Sequence, residues 1–282
     1  MFPTPIEKTS RSWQLTYQTL LPMSLVLWLL PLVAVAVFSI KPDADFVQGN
    51  YWSLPSTFNA VENYGKVFFA SDMPRYLLNS VFITVPTVIG CVILSSMTGF
   101  ALGVYKFRSN LWVFFMFVAG NFVPFQILMV PVRDLTLDLG LYNTKTGLVL
   151  FHIAFQTGFC TLFMRNFIRA LPYELIEAAR VEGIAEWRIF WYVVLPLMKP
   201  AIAAMSVLIF TFIWNDFFWA VVLTQGAESQ PVTAGITSFN AQYRAAYHLM
   251  SAGSIVAALP PVAMFFLMQR HFIAGLTLGA VK

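Results

Sequence analysis

Asp216 is the one acidic side chain within the apolar stretch Pro200 to Leu223, where Trp214, Asn215, Phe218 and Trp219 flank it. A carboxylate beside an amide and aromatic faces can hydrogen-bond a hydroxyl-rich solute. It can equally tie one helix to another, or to backbone freed at a kink. In a bilayer-spanning stretch such a charge costs at least about 2.5–3.5 kcal/mol at the centre, so Asp216 is expected to face a helix bundle or a watery cavity. Asn121, Gln126 and Gln156 lie in other apolar runs and are further candidates for that cavity, with interhelical hydrogen bonds as the alternative. A second constellation lies between Arg165 and Lys199, where Glu174, Glu177, Glu182 and Glu186 fall among Arg169, Arg180 and Arg188. Groups for covalent chemistry are missing. The sequence has no G-x-x-x-x-G-K-[ST] phosphate loop, no H-E-x-x-H and no G-x-S-x-G, and His152, His248 and His271 are scattered. No catalytic site and no metal site are expected.

These residues must be held by membrane helices. Of 282 residues, 59% are hydrophobic and 11% charged, whereas soluble domains carry roughly 25% charged residues. A crossing needs about 20 apolar residues. Six segments qualify: 20–40, 77–104, 111–131, 146–168, 200–223 and 251–270. Pro31, Pro86, Pro124 and the Pro260-Pro261 pair fall inside these spans and are expected to kink them without breaking them. The first apolar run is longer than a signal peptide's and no small-residue cleavage site follows it, so it reads as a retained span. Cys91 and Cys160 lie in apolar runs and read as small core residues.

Basic residues favour the cytoplasmic side. With the N-terminus inside, Lys8, Arg11, Lys106, Arg108, Arg165, Arg169, Arg180, Arg188, Lys199, Arg270 and Lys282 are inside, and Lys41, Lys66, Arg75, Arg133, Lys145 and Arg244 outside. Both termini and the charged stretch then face the cytoplasm, while 41–76, 132–145 and 224–250 lie outside. A basic patch for nucleic acid is not formed, since the cations sit at span ends.

Within the charged stretch, Pro172 suits the first turn of a helix. Tyr173 to Glu182 are good helix formers, with Leu175, Ile176, Ala179 and Ala178 as an apolar strip. Gly183 suits the left-handed residue that ends a helix, and a second helix is expected from about Ala185 to Pro196. Lying on lipid alone fits poorly, because anionic lipid repels a face rich in glutamate.

Glu177-Ala178-Ala179, Gly183, Val193 and Leu195-Pro196 resemble the EAA loop of ATP-binding-cassette importer permeases, with Val193 where the family usually has isoleucine. FIWNDFFWAVVL, Phe212 to Leu223, resembles the fifth-span signature of carbohydrate-uptake permeases. The ending QRHFIAGLTLGAVK resembles that of the G-type subunit of maltose-like importers. The resemblance implies an all-α, six-span permease of the type I importer fold in a bacterial inner membrane. Residues 1–76 would form the tail, first span and outer loop, and 77–282 the permease domain, with a coupling helix at about 172–187.

It further implies a second homologous permease subunit, two ATPase subunits that hold ATP and Mg, and an extracytoplasmic solute-binding protein. Glu177, Ala178, Ala179, Gly183, Leu195 and Pro196 would form the ATPase-coupling surface. By residue type alone, Asp216, Asn215, Trp214, Asn121, Gln126 and Gln156 are candidates for a solute path, with structural hydrogen bonds as the alternative. Residues near Gln230 to Thr237 would touch the binding protein. A channel, a secondary transporter or a permease for another solute class are the alternatives. The first two would call for inverted repeats and intramembrane ion sites.

Overall fold

The structure is a computed structural model that describes residues 10–241 and 244–278, the side chains of 241, 244, 245 and 270–278 excepted. It is helical, apart from a short ribbon pairing Asn240–Ala241 (β1) with Arg244–Ala245 (β2). The helices are α1 Arg11–Ile40, α2 Asp43–Val47, α3 Ala60–Phe69, α4 Met73–Val104, α5 Asn110–Ala119, α6 Met129–Asp138, α7 Lys145–Arg169 and α8 Tyr173–Val181. They continue as α9 Glu186–Ile189, α10 Leu195–Leu197, α11 Lys199–Trp214, α12 Phe218–Leu223, α13 Val232–Gly235 and α14 Tyr247–Leu278. The chain divides into two units, residues 1–71 with 239–256, and residues 72–238 with 257–282.

In the first unit the long apolar α1 meets the folded segment that follows it. Lys41 is fully buried there, donating from Nζ to the carbonyls of Asn50 (2.7 Å) and Tyr51 (3.0 Å). Asn63 on α3 donates to the carbonyls of Ser39 and Lys41, satisfying backbone freed where α1 ends.

The second unit is built on α4 and α7. Their packing includes a hydrogen bond between the hydroxyls of Thr98 and Thr161 at 2.7 Å. Cys91 and Cys160 are free and buried, as expected of small core residues. Around this pair lie Ile83, Phe100, Leu148, Met164, Ile189, Met205, Ile209 and Trp219.

Among the described residues four helices are long and apolar enough to cross a membrane: Arg11–Ile40, Met73–Val104, Lys145–Arg169 and Tyr247–Gln269. Pro31, Pro86 and the Pro260-Pro261 pair are carried inside continuous helices, as expected. Pro124 is not. The expected span 111–131 is broken: α5 tightens into a 3₁₀ turn at Gly120–Phe122, and helix resumes only at Met129. Val123, ahead of Pro124, is extended at φ −74° and ψ 120°, the conformation forced on a residue preceding proline.

The expected span 200–223 is also broken. α11 ends at Trp214 and α12 starts at Phe218. On its other side, Glu186–Leu197 meets Lys199–Trp214 at 74°. Sixteen residues of α11 make about 24 Å of helix, short of the roughly 30 Å of hydrocarbon.

Much of the stretch 230–237, expected to touch a binding protein, packs against its own chain. Ser229, Val232 and Ala234 are buried. Asn79 donates to the carbonyls of Ala227 and Gln230, both at 2.9 Å, and the Ser80 hydroxyl accepts from the Val232 amide at 2.8 Å. These bonds let an irregular backbone sit inside the fold, so the segment is core.

Candidate functional site

The charged stretch folds into two helices joined by a tight turn. Helix α8 starts after Pro172 and spans Tyr173–Val181, shorter than the expected 172–187. Gly183 has φ +77°. The amide of Gly183 donates to the Arg180 carbonyl (3.0 Å), and that of Ile184 to the Ala179 carbonyl (3.1 Å). This crossed pair is the Schellman motif, which satisfies the last carbonyls of a helix.

A polar clamp fixes the angle of the turn. Arg180 Nε donates to Glu186 Oε1 at 2.6 Å and Nη2 to Oε2 at 3.2 Å, while Tyr105, just past α4, donates its hydroxyl to Glu186 Oε2 at 2.9 Å. The Arg180 guanidinium holds the Glu186 carboxyl below the usual carboxylate range. Glu186 in turn pushes Arg180 up. The Tyr105 phenol is raised by burial and then by Glu186.

The two faces of α8 differ. Ile176 and Ala179 point into the chain's own core, Ala179 being only 6% exposed. The pairing of Ala178 with Ala179 as one docking face is therefore corrected: successive residues on a helix are about 100° apart, and only Ala178 is outside. Glu174, Glu177, Ala178, Val181, Glu182 and Gly183 are exposed. Farther along, Leu195 is partly buried and Pro196 exposed. Between them, Phe190–Val194 is wound as π-helix, which leaves Trp191 and Tyr192 outward and buries Phe190 and Val194.

The second set of candidates lies at the broken spans. Asp216 falls in the gap between α11 and α12. Its carboxylate accepts from the amides of Trp219 (3.4 Å) and Ala220 (3.0 Å), and its own carbonyl accepts from the Thr233 hydroxyl (2.6 Å). It thus caps amides left over by the break. His152 of α7 stands beside it, with Nε2 3.5 Å from Asp216 Oδ2, and its side chain is buried. Sequence reasoning set His152 aside as one of three scattered histidines. The signal available was a titratable side chain inside an apolar span, which is costly without a partner.

Trp214 is buried and donates from Nε1 to the Ala257 carbonyl at 2.9 Å, so it braces α14. Asn215 is exposed and caps Thr211 at 2.8 Å. The gap between α5 and α6 comes close to this one, since the rings of Phe125 and Phe218 lie 5.1 Å apart, edge to face. Asn121 and Gln126 lie at that gap and are exposed. Gln156, nearly buried on α7, lies two residues before Gly158. A Cβ at Gly158 would meet the Phe117 carbonyl oxygen at 2.4 Å and the Asn121 amide nitrogen at 2.8 Å. Only glycine lets α5 and Asn121 approach α7 this closely. The structure thus gathers Asp216, Asn215, Asn121 and Gln126 at two breaks that touch, adds His152, and assigns Trp214 to packing.

Apolar helices that break part-way, with polar groups and aromatic rings at the breaks, are a feature that membrane permeases use. The family described as the binding-protein-dependent transport system inner membrane component matches residues 95–277. The arabinooligosaccharides transport system permease protein AraQ of Halalkalibacterium halodurans is 33% identical, covering 89% of this chain and 90% of the relative. The lactose transport system permease protein LacG of Rhizobium radiobacter is 29% identical, over 94% of each chain. The solved structure of a bacterial ABC transporter involved in the import of the acidic polysaccharide alginate superposes with a TM-score of 0.79 at 24% identity, over 95% of this chain and 100% of that one. The chain belongs to the family of inner-membrane components of binding-protein-dependent transport systems.

Proposed function

We propose that this chain is one permease subunit of an ABC importer for a sugar or oligosaccharide, coupled through α8 to an ATPase partner. The relatives named for arabinooligosaccharide and lactose transport support the substrate class. One observation carries the coupling: α8 offers Glu174, Glu177, Ala178 and Val181 outward, on a helix stopped by Gly183 and clamped to Glu186 and Tyr105. A short, rigid helix with a small residue at its centre suits a groove in a partner.

In this reading α5 with α6, and α11 with α12, each complete one broken crossing, so that the chain crosses six times. The distribution of basic residues supports a cytoplasmic side for both termini and α8. A second permease subunit completes the pore, two ATPase subunits hold ATP and Mg, and a binding protein delivers the solute from outside. The touching breaks lie on the solute path. There Asp216, Asn215, Asn121 and Gln126 offer hydrogen bonds to hydroxyl groups, and Phe125 and Phe217 offer ring faces.

The transport step follows from that geometry. ATP-driven closure of the partner would push on α8, and the clamp would pass the displacement to the end of α4 and to α9. Across the 74° bend, α11 would then carry it to the break at Asp216. The test is uptake into proteoliposomes holding this chain with its partner permease, ATPase and binding protein. ATP-dependent uptake of an arabinooligosaccharide, lactose or another glycan, abolished without the binding protein, is expected. Uptake driven by an ion gradient without ATP would overturn the proposal.

A further inference from the structure

We propose that a basic cleft between the ends of α4 and α7, the start of α5 and the inner side of α8 holds the phosphate of an anionic phospholipid. The cleft has a volume of about 670 Å³. Lys106, Arg108, Arg165 and Arg169 line it, with no acidic side chain. Among the described residues none of these four makes an ion pair.

Cations gathered at span ends are ordinary in themselves; Arg165 makes this place a built site. It is 7% exposed. Its Nε donates to the Leu102 carbonyl at 3.1 Å, and its guanidinium lies on the Phe114 ring at 3.9 Å. The group is thereby fixed in plane and direction, and no protein acceptor is recorded for its remaining N–H groups among the described residues. A guanidinium held this way presents a planar fork that matches two phosphate oxygens. Arg169 stands one turn farther along α7, and Lys106 and Arg108 bring two exposed charges from the α4–α5 loop. An anion between them would offset repulsion that no acidic side chain lining the cleft relieves.

A lipid fits this cleft better than free phosphate does. Phe107 and Leu111 line it as well and are about half exposed, giving a glycerol backbone and acyl chain somewhere to lie. In the orientation proposed above, on which this inference rests, the cleft sits at head-group depth in the leaflet that carries anionic lipid.

The experiment is native mass spectrometry of the purified full transporter after delipidation and titration with phosphatidylglycerol or phosphatidylcholine. Phosphatidylglycerol should be retained preferentially. Retention should fall about fivefold for each charge removed in Arg108→Gln and Arg169→Gln. Both side chains are exposed, so folding is not at stake. Arg165→Lys, which keeps the charge and loses the fork, should also weaken retention. An excess of inorganic phosphate should leave the lipid bound. Equal retention of the two lipids, unchanged retention in the Arg108→Gln/Arg169→Gln double variant, or displacement by inorganic phosphate would each overturn the assignment. ATP-dependent uptake measured on the same preparation separates the two proposals: selective lipid retention without sugar uptake counts against the proposed function alone.

Discussion

Replacing Gly183 tests the coupling segment at the position where its geometry is least forgiving. The residue sits at φ +77°, and a Cβ built there meets no heavy atom within 4 Å. Any cost of substitution therefore comes from the backbone, not from a clash. Holding an L-residue in the left-handed region costs about 1–2 kcal/mol, and asparagine tolerates it better. A β-branched residue is worse placed still. One to two kcal/mol is a factor of about 5–30 in the population of α8 that ends correctly. The expected order is therefore Gly and Asn, then Ala, then Val. The assay is co-purification of the ATPase subunit with a tagged permease, alongside sugar uptake at matched expression. Gly183→Val should lose most of both, and Gly183→Asn should keep most of both. Full assembly and uptake in Gly183→Val would refute the reasoning, as would an equal loss in the Val and Asn variants.

Asp216→Ala should cost about 0.5–2 kcal/mol, because it strips the cap from the Trp219 and Ala220 amides, whereas Asp216→Asn should retain the fold; thermal unfolding in detergent compares the two. Glu186→Gln should weaken the clamp by no more than about 1 kcal/mol, since the pair is partly exposed. The wild-type clamp is fully present above the ordinary carboxyl value of 4.5 and is lost as pH falls through the lower folded value. ATPase retention measured against pH should therefore show an acid limb in the wild type that is flattened in Glu186→Gln. For sidedness, single cysteines at Glu228 and Val181, both well exposed, are labelled in spheroplasts with an impermeant thiol reagent. Glu228→Cys should react and Val181→Cys should not, and the reverse pattern would invert the orientation.

Four of the spans were legible because hydropathy over about twenty residues is a strong signal. The two broken ones were not. Pro31, Pro86 and Pro124 look alike in a hydropathy window, yet only Pro124 follows a Gly120-Asn121 pair and ends its helix. Asp216 was legible as a residue needing a partner. Its partners were not, because the amides of Trp219 and Ala220 are orphaned only once the helix breaks. His152 is distant in sequence and meets Asp216 only through the packing of α7. In the charged stretch, Gly183 could be read from turn chemistry alone. Which alanine faces outward could not, since that depends on which side of α8 the rest of the chain covers. The buried run Ser229 to Gly235 looked like a loop because its apolar residues are small and its backbone bonds go to Asn79 and Ser80, far upstream.

The central claim is that α8 hands the work of an ATPase to this chain, and a photo-crosslinking amino acid at Ala178 tests it most directly. Ala178 is exposed at the middle of the outward face, flanked by Glu177 and, one turn on, Val181 and Glu182. Irradiating the assembled transporter should give an adduct between this chain and the ATPase subunit, in higher yield when ATP is bound. The same probe at Glu228 should give none. An Ala178 adduct only with lipid, in a preparation that still hydrolyses ATP and imports sugar, would contradict the account.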